Sequence, residues 1–210
     1  MQRILREEVK DLVQYEKVRD EMRRRLIDLK RMRRVPVGTR LTFLFENRET
    51  VLFQVQEMIR TERMVDEAKI GEEIEINNEL IPGERELSAT LFIEVDAPAR
   101  IREVLDRFQG IDRGDMVVFQ VGGRFRVARI FEGGRSKEDK ISAVHYVKFP
   151  FSEPARQAFL ILEEPVELVV DHPYYKERTS IEGDTRRSLI EDLTADLQNA
   201  GLPSSRLGHR

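Results

Sequence analysis

The chain has 210 residues, 40% of them hydrophobic and 36% charged, with a formal net charge of −3; a domain of that length buries roughly 70% of its unfolded surface and needs no staple. There is no cysteine, which excludes disulfides, thiolate catalysis, zinc–thiolate knuckles and cysteine-ligated iron–sulfur clusters, and suits a reducing cytoplasm. The opening MQRILREEVKDL scatters charge where a signal peptide needs an apolar core, and no stretch approaches the roughly 20 apolar residues that cross a bilayer. The expectation is a soluble cytoplasmic protein.

Residues 7–32 have a helical pattern. Tyr15, Val18, Met22, Leu26 and Leu29 fall within about 80° of one another on a helical wheel, and the remainder is almost wholly charged. So narrow a stripe suits a long charged helix lying on a domain. Its end is basic: residues 23–34 hold seven basic residues and one acid, whereas residues 66–86 hold eight acids and two basic residues. Arg23, Arg24 and Arg25 are therefore anion or nucleic-acid candidates. The near-cancellation of the two runs argues for solvated or mutually paired faces instead.

Pro36 and Gly38 end the first helix. RLTFLF then reads as a strand, apolar on both parities and hence covered on both faces. Asn47 is positioned to cap the next helix, with Glu49 in its first turn. On that helix Val51, Leu52, Val55, Met58 and Ile59 form the core stripe, and Glu62 falls inside it. Phe53 and Met64 lie together on the opposite side, flanked by Glu57 and Arg60. That second apolar spot is either a partner-docking site or the place where the N-terminal helix packs.

The acidic segment IGEEIEINNELIPGE reads as a short helix or an irregular connection. ELSATLFIEVD alternates, with Leu87, Ala89, Leu91, Ile93 and Val95 on one face. APARIREVLDRFQG is a helix with Pro98 in its first turn and Gly110 past its end. MVVFQVGGRFRVARIF is a hairpin with its turn at Gly122-Gly123. A two-residue turn there sets Phe119 opposite Arg126, and Arg124 with Arg126 forms a second anion candidate. After the polar loop GGRSKEDK come the strand SAVHYVKFPF, a helix capped by Ser152, and PVELVVDHP, read as the last strand. A C-terminal helix spans 185–200, carries Leu189, Leu193 and Leu197, and stops at Gly201. TLFIEVDAPAR and YVKFPFSEPAR share a strand-to-helix junction, aligning Pro98 with Pro154 and Arg100 with Arg156.

About six mostly antiparallel strands with helices between them give a single α+β domain over 1–201, its sheet and helices in 35–171, with a frayed tail over 202–210. No phosphate loop, GxGxxG, HExxH or GxSxG motif is present. His145 shares a strand face with Val147 and Phe149, and His172 shares one with Val166, Leu168 and Val170. Two inward imidazoles and Glu62 would suit a divalent metal if they converge; each is equally open to an ordinary hydrogen bond or ion pair. No other cofactor is indicated.

YEKVRDEMRRRLIDLKRMRRVPVGTRLTFLFENRETVLFQVQEMIRTERM, NELIPGERELSATLFIE and VELVVDHPYY make the chain similar to a bacterial family known as domain of unknown function 3501. The likeness covers most of residues 14–175. It implies a setting beside rubrerythrin and an iron–sulfur electron-transfer protein, and so peroxide or iron handling. It brings no catalytic residues. Three readings follow: a non-enzymatic accessory or interaction protein of a cytoplasmic redox or oxidative-stress system, a metal- or small-ligand-binding protein or enzyme using Glu62, His145 and His172, and a weak nucleic-acid binder. The missing reaction signatures favour the first.

Overall fold

The structure is a computed structural model and describes residues 1–131 and 141–199, the side chains of 131 and 196–199 excepted. The loop GGRSKEDK, Gly201, the 202–210 tail and the side chain of Leu197 lie outside the described residues.

Helix α1 runs Leu12–Arg33, shorter than the 7–32 reading, because the Asp11 side chain accepts from Gln14 N at 2.8 Å and starts the helix there; Arg6–Glu8 form a separate 3₁₀ turn. The chain passes straight into β1 (Arg34–Val37) and β2 (Leu41–Glu46). Helix α2 (Arg48–Glu62) is capped as expected: Asn47 accepts from Thr50 N and Thr50 Oγ1 accepts from Asn47 N, both at 3.0 Å. It ends because Arg63 turns left-handed at φ 51°. The acidic segment is a regular helix, α3 (Glu67–Asn78), followed by β3 (Glu86–Ile93) and the short α4 (Ile101–Arg107). Strands β4 (Val117–Val121), β5 (Phe125–Ala128), β6 (Ile130–Phe131) and β7 (Val144–Pro150) precede α5 (Glu153–Leu160). Strands β8 (Val166–His172) and β9 (Tyr175–Ser180) lead to α6 (Gly183–Asn199).

Every pairing is antiparallel, in two sheets ordered β1-β2-β3-β7-β6 and β5-β4-β8-β9. The α+β class is as expected, but strands β1 and β9 escape the sequence reading, and β8 is not the last strand. Both are short and carry polar or proline residues, as sheet edges do.

The two inner faces pack together. Phe45 and Phe149 of the first sheet meet Phe119 of the second at ring-centroid distances of 5.8 and 4.8 Å. Val104 and Phe108 of α4 belong to the same core, as do Phe159 of α5 and Leu189 and Leu193 of α6. The two sheets join at both sides. On one side the β5–β6 strand leaves the second sheet at Arg129 and enters the first, its guanidinium donating to the carbonyls of Ile111 (2.8 Å), Arg113 (2.7 Å) and Gly114. On the other, side chains replace the backbone ladder between β1 and β9. The Tyr175 hydroxyl donates to Val37 O and accepts from Arg40 N, each at 2.9 Å, and Thr179 Oγ1 donates to Pro36 O at 2.7 Å.

Helices α1–α3 lie on the outer face of the first sheet, so β2 is buried along its whole length. A second small core joins Val51, Val55 and Ile59 of α2 to Ile70 and Ile74 of α3, with Ile4 and Val9. Between helices and sheet lies a polar layer with no signal in the sequence. Glu46 accepts from Thr50 Oγ1 (2.5 Å) and Thr90 Oγ1 (2.7 Å). Arg33 donates to Phe45 O, Glu46 O and Ser188 Oγ and pairs with Asp192, tying α1 to α6 entirely out of water.

The hairpin register differs from expectation. The loop has three residues, Gly122, Gly123 and Arg124, closed by Arg124 N donating to Val121 O at 3.1 Å, so Phe119 faces Val127 and Gln120 faces Arg126. Adding one residue to the loop moves Arg126 to the opposite sheet face from Phe119. The PAR echo also divides: Arg156 is buried and donates to Leu193 O at 2.9 Å, while Arg100 is exposed.

Candidate docking surface

The back of α2 is covered by α1. Tyr15 donates its hydroxyl to Glu57 at 2.8 Å, and Arg19 reaches both Glu57 oxygens at 2.7 and 2.9 Å. Arg60 pairs with Glu16 at 2.6 Å, and Lys30 Nζ sits 5.7 Å from the centre of the Phe53 ring. Phe53, Glu57 and Arg60 thus form a helix–helix contact and not an open partner site, because the narrow stripe of α1 needs a surface to cover it. The Arg19 hydrogen bonds hold the Glu57 carboxyl below its ordinary pKa, while burial and then Glu57 raise the Tyr15 hydroxyl above its own.

The candidate metal residues do not assemble. Glu62 is the last residue of α2 and is exposed, because the buried side of the helix stops at Ile59. His145 on β7 places Nε2 2.7 Å from Ser142 O. His172 on β8 accepts from Tyr174 N at Nδ1 (3.2 Å), so its proton is on Nε2, which donates to Gln109 O at 3.0 Å. Both His172 nitrogens are spent on backbone. Among the described residues no group of three or more His, Asp or Glu side chains is placed to hold a metal ion.

The arginine candidates fall in separate layers. Arg23, Arg24 and Arg25 are exposed on α1, and Arg25 bonds to Glu49 at 2.9 Å. Arg124 and Arg126 belong to the second sheet, where Arg124 pairs with Glu164 at 2.7 Å and Arg126 donates to Asp115 O at 2.9 Å. The strand-face pairing of Phe119 with Arg126 that would have served base stacking does not exist.

Met64 alone of the docking candidates lies where a partner has access. Beyond Ile59 the left-handed Arg63 swings the chain off the helix axis, and Met64 N bonds back to Ile59 O at 2.9 Å. The start of α1, the end of α2 and the start of α3 meet there around a groove of about 390 Å³ with Leu12, Val13, Ile59, Met64, Val65 and Ile70 in its walls. Val13 is 69% exposed and Val65 79%. Two such exposed valines in the walls of one groove on a highly charged surface are the observation that needs a cause.

The groove's rim is partly neutralised and partly not. Arg6 grips Glu67 with two bonds of 2.7 Å, which raises the arginine's pKa and lowers the carboxyl's. Lys10 on the rim and the exposed Arg63 beside Met64 make no ion pair among the described residues. The site is apolar at its centre, and its charged edge carries both signs, Arg6 and Lys10 against Asp11 and Glu67, with Arg63 next to Met64 in sequence. Sequence reasoning missed Leu12, Val13 and Val65. Val13 falls off the α1 stripe, and Val65 follows the residue where the helical wheel ceases to apply.

Two antiparallel sheets packed face to face, with a helical layer on one of them and a groove at the helix ends, define this α+β protein. The chain belongs to a family described as protein of unknown function (DUF3501), whose model matches residues 3–193. It is similar to a crystal structure of a novel protein of unknown function from Burkholderia pseudomallei, at 31% identity and a TM-score of 0.84, over 91% of this chain and 100% of that one. No curated protein matches. Among the described residues no helix is long and apolar enough to cross a membrane.

Proposed function

We propose that this chain is a non-enzymatic interaction protein that seats an apolar, charge-flanked segment of a partner in the groove at the ends of α1, α2 and α3. The observation that carries the reading is the exposed pair Val13 and Val65 in the walls of one groove; Lys10 on its rim and the nearby Arg63 have no carboxylate partner among the described residues. An apolar centre with a charged rim is how a specific protein contact is built: burial supplies affinity and rim charges select and steer the partner. The cytoplasmic redox setting rests on the family resemblance, so rubrerythrin or an iron–sulfur electron-transfer protein is the partner to try first.

The test is direct binding of purified rubrerythrin and of the iron–sulfur protein to the full chain. Val13→Glu and Val65→Glu, both at exposed positions, are expected to leave the melting temperature in place and to weaken binding at least about tenfold, near 1.4 kcal/mol. Lys10→Glu with Arg63→Glu should slow association chiefly at low salt. Binding that survives both pairs of substitutions removes the groove from the reading, and absence of binding by either partner removes the redox assignment.

A further inference from the structure

Arg186, in the first turns of α6, is only 2% exposed and has no acidic partner among the described residues. Its Nε and Nη2 donate to Phe159 O at 3.0 and 2.6 Å, and Nη2 also reaches Ile161 O and Glu164 O at 3.2 and 3.4 Å. The guanidinium carbon lies 4.2 Å from the centre of the Phe159 ring. The carbonyls of Phe159 and Ile161 end α5, so the negative end of that helix offsets part of the charge. Burial still pushes the arginine's pKa down to about 10. Nη1 donates to nothing in the described chain and is not sealed from solvent.

Arg186 lines a cleft of about 540 Å³ between residues 162–167 and 180–187, a size typical of small-ligand sites. Leu162, Pro165 and Ile181 give it apolar walls, and α6 begins beside it at Gly183. Glu163 and Glu182 also line the cleft, are exposed, and have no cation partner among the described residues. Glu164 is already held by Arg124 at 2.7 Å. Arg187, also in the lining, is exposed and pairs with Asp184 at 3.4 Å. The floor is therefore positive and poorly hydrated, and the mouth is on balance negative and wet. A simple anion is repelled at the mouth and a simple cation at the floor.

We propose that this cleft binds a small zwitterion, a free α-amino acid being the simplest, with its carboxylate on Nη1 of Arg186, its ammonium toward Glu163 and Glu182, and its side chain on Leu162, Pro165 and Ile181. A carboxylate there completes a charge-assisted hydrogen bond in a poorly solvated place, where such bonds are strongest. The site is separate from the groove at the helix ends, and its occupancy does not depend on a protein partner.

The full chain is titrated by calorimetry and by thermal shift with the twenty amino acids, their des-amino carboxylates, the corresponding amines, and inorganic phosphate. An amino acid should bind with a Kd below about 1 mM and raise the melting temperature, and removing either ligand charge should weaken binding at least about tenfold. Glu163→Gln with Glu182→Gln should weaken the amino acid about tenfold while leaving its des-amino analogue equal or tighter. Because Arg186 also holds α5, these exposed glutamates carry the test, and Arg186→Lys serves as a check if its melt is intact. No heat or shift from any amino acid at roughly ten times that concentration, equal binding of the des-amino carboxylates, the amines or phosphate, or glutamate variants that bind unchanged would each overturn the proposal.

Discussion

Gly38→Ala is the sharpest probe of how the two sheets are joined. Gly38 has φ +62°, and a Cβ there would sit 2.2 Å from the Tyr175 hydroxyl oxygen and 2.7 Å from Glu177 Cγ. Glu177 is exposed and swings aside. Tyr175 cannot, because its hydroxyl donates to Val37 O and accepts from Arg40 N, each at 2.9 Å. Forcing a non-glycine residue left-handed costs about 1–2 kcal/mol. Displacing the hydroxyl adds about 1 kcal/mol for each bond lost. The sum, about 3–4 kcal/mol, lowers the melting temperature of a chain this size by roughly 6–16 °C. Tyr175→Phe alone should cost about 2 kcal/mol, and in that background Gly38→Ala should cost only the backbone term, about 1–2 kcal/mol. Urea melts of the four proteins close the double-mutant cycle, with an expected coupling of about 2 kcal/mol. Additive effects, or a Gly38→Ala cost under about 0.5 kcal/mol, would show that the hydroxyl does not hold the β1–β9 seam.

Three further outcomes are expected. Glu57→Gln should destabilise by about 1–2 kcal/mol by weakening the Arg19 and Tyr15 bonds; because the folded carboxyl titrates low, the wild-type advantage is present above the unfolded pKa and vanishes as pH falls through the folded one, which melts from neutral to acid pH will follow. Burial pushes the Asp192 carboxyl up to about 6 despite Arg33, so its contribution runs the other way, complete below the ordinary carboxyl value of 3.8 and lost as pH rises through about 6. Asp192→Asn should therefore gain about 3 kcal/mol on wild type between those limits, and a difference that stays constant with pH would refute the assignment. Thr50→Val should cost about 2 kcal/mol, since it strips Glu46 of one of its two hydroxyl donors and breaks the α2 capping box, a loss that a urea melt will read.

The local rules worked where a residue's neighbours in sequence are its neighbours in space. Asn47 caps α2 and Ser152 caps α5. The alternation of Leu87, Ala89, Leu91 and Ile93 points into the core as period two requires. The same rules failed by single residues elsewhere. One extra loop position moved Arg126 to the other face of its sheet. Glu62 keeps its place on the wheel of α2, but the buried side of that helix stops one turn earlier, at Ile59, so its carboxylate faces solvent. His145 and His172 do point inward, but inwardness says nothing of their partners, and backbone carbonyls took them.

What the chain carries in one dimension is the alternation, the caps and the breaks, since these act over one helical turn or one strand pair, and with them came the α+β class. Which surface covers which was decided only in three dimensions. Tyr15 and Glu57 are 42 positions apart, and Arg33 and Asp192 are 159. No periodicity reaches so far. That is why the sequence offered either a partner or α1 for the back of α2 without deciding between them, and why the groove at the helix ends and the cleft above Arg186 became visible only once the distant segments had been packed together.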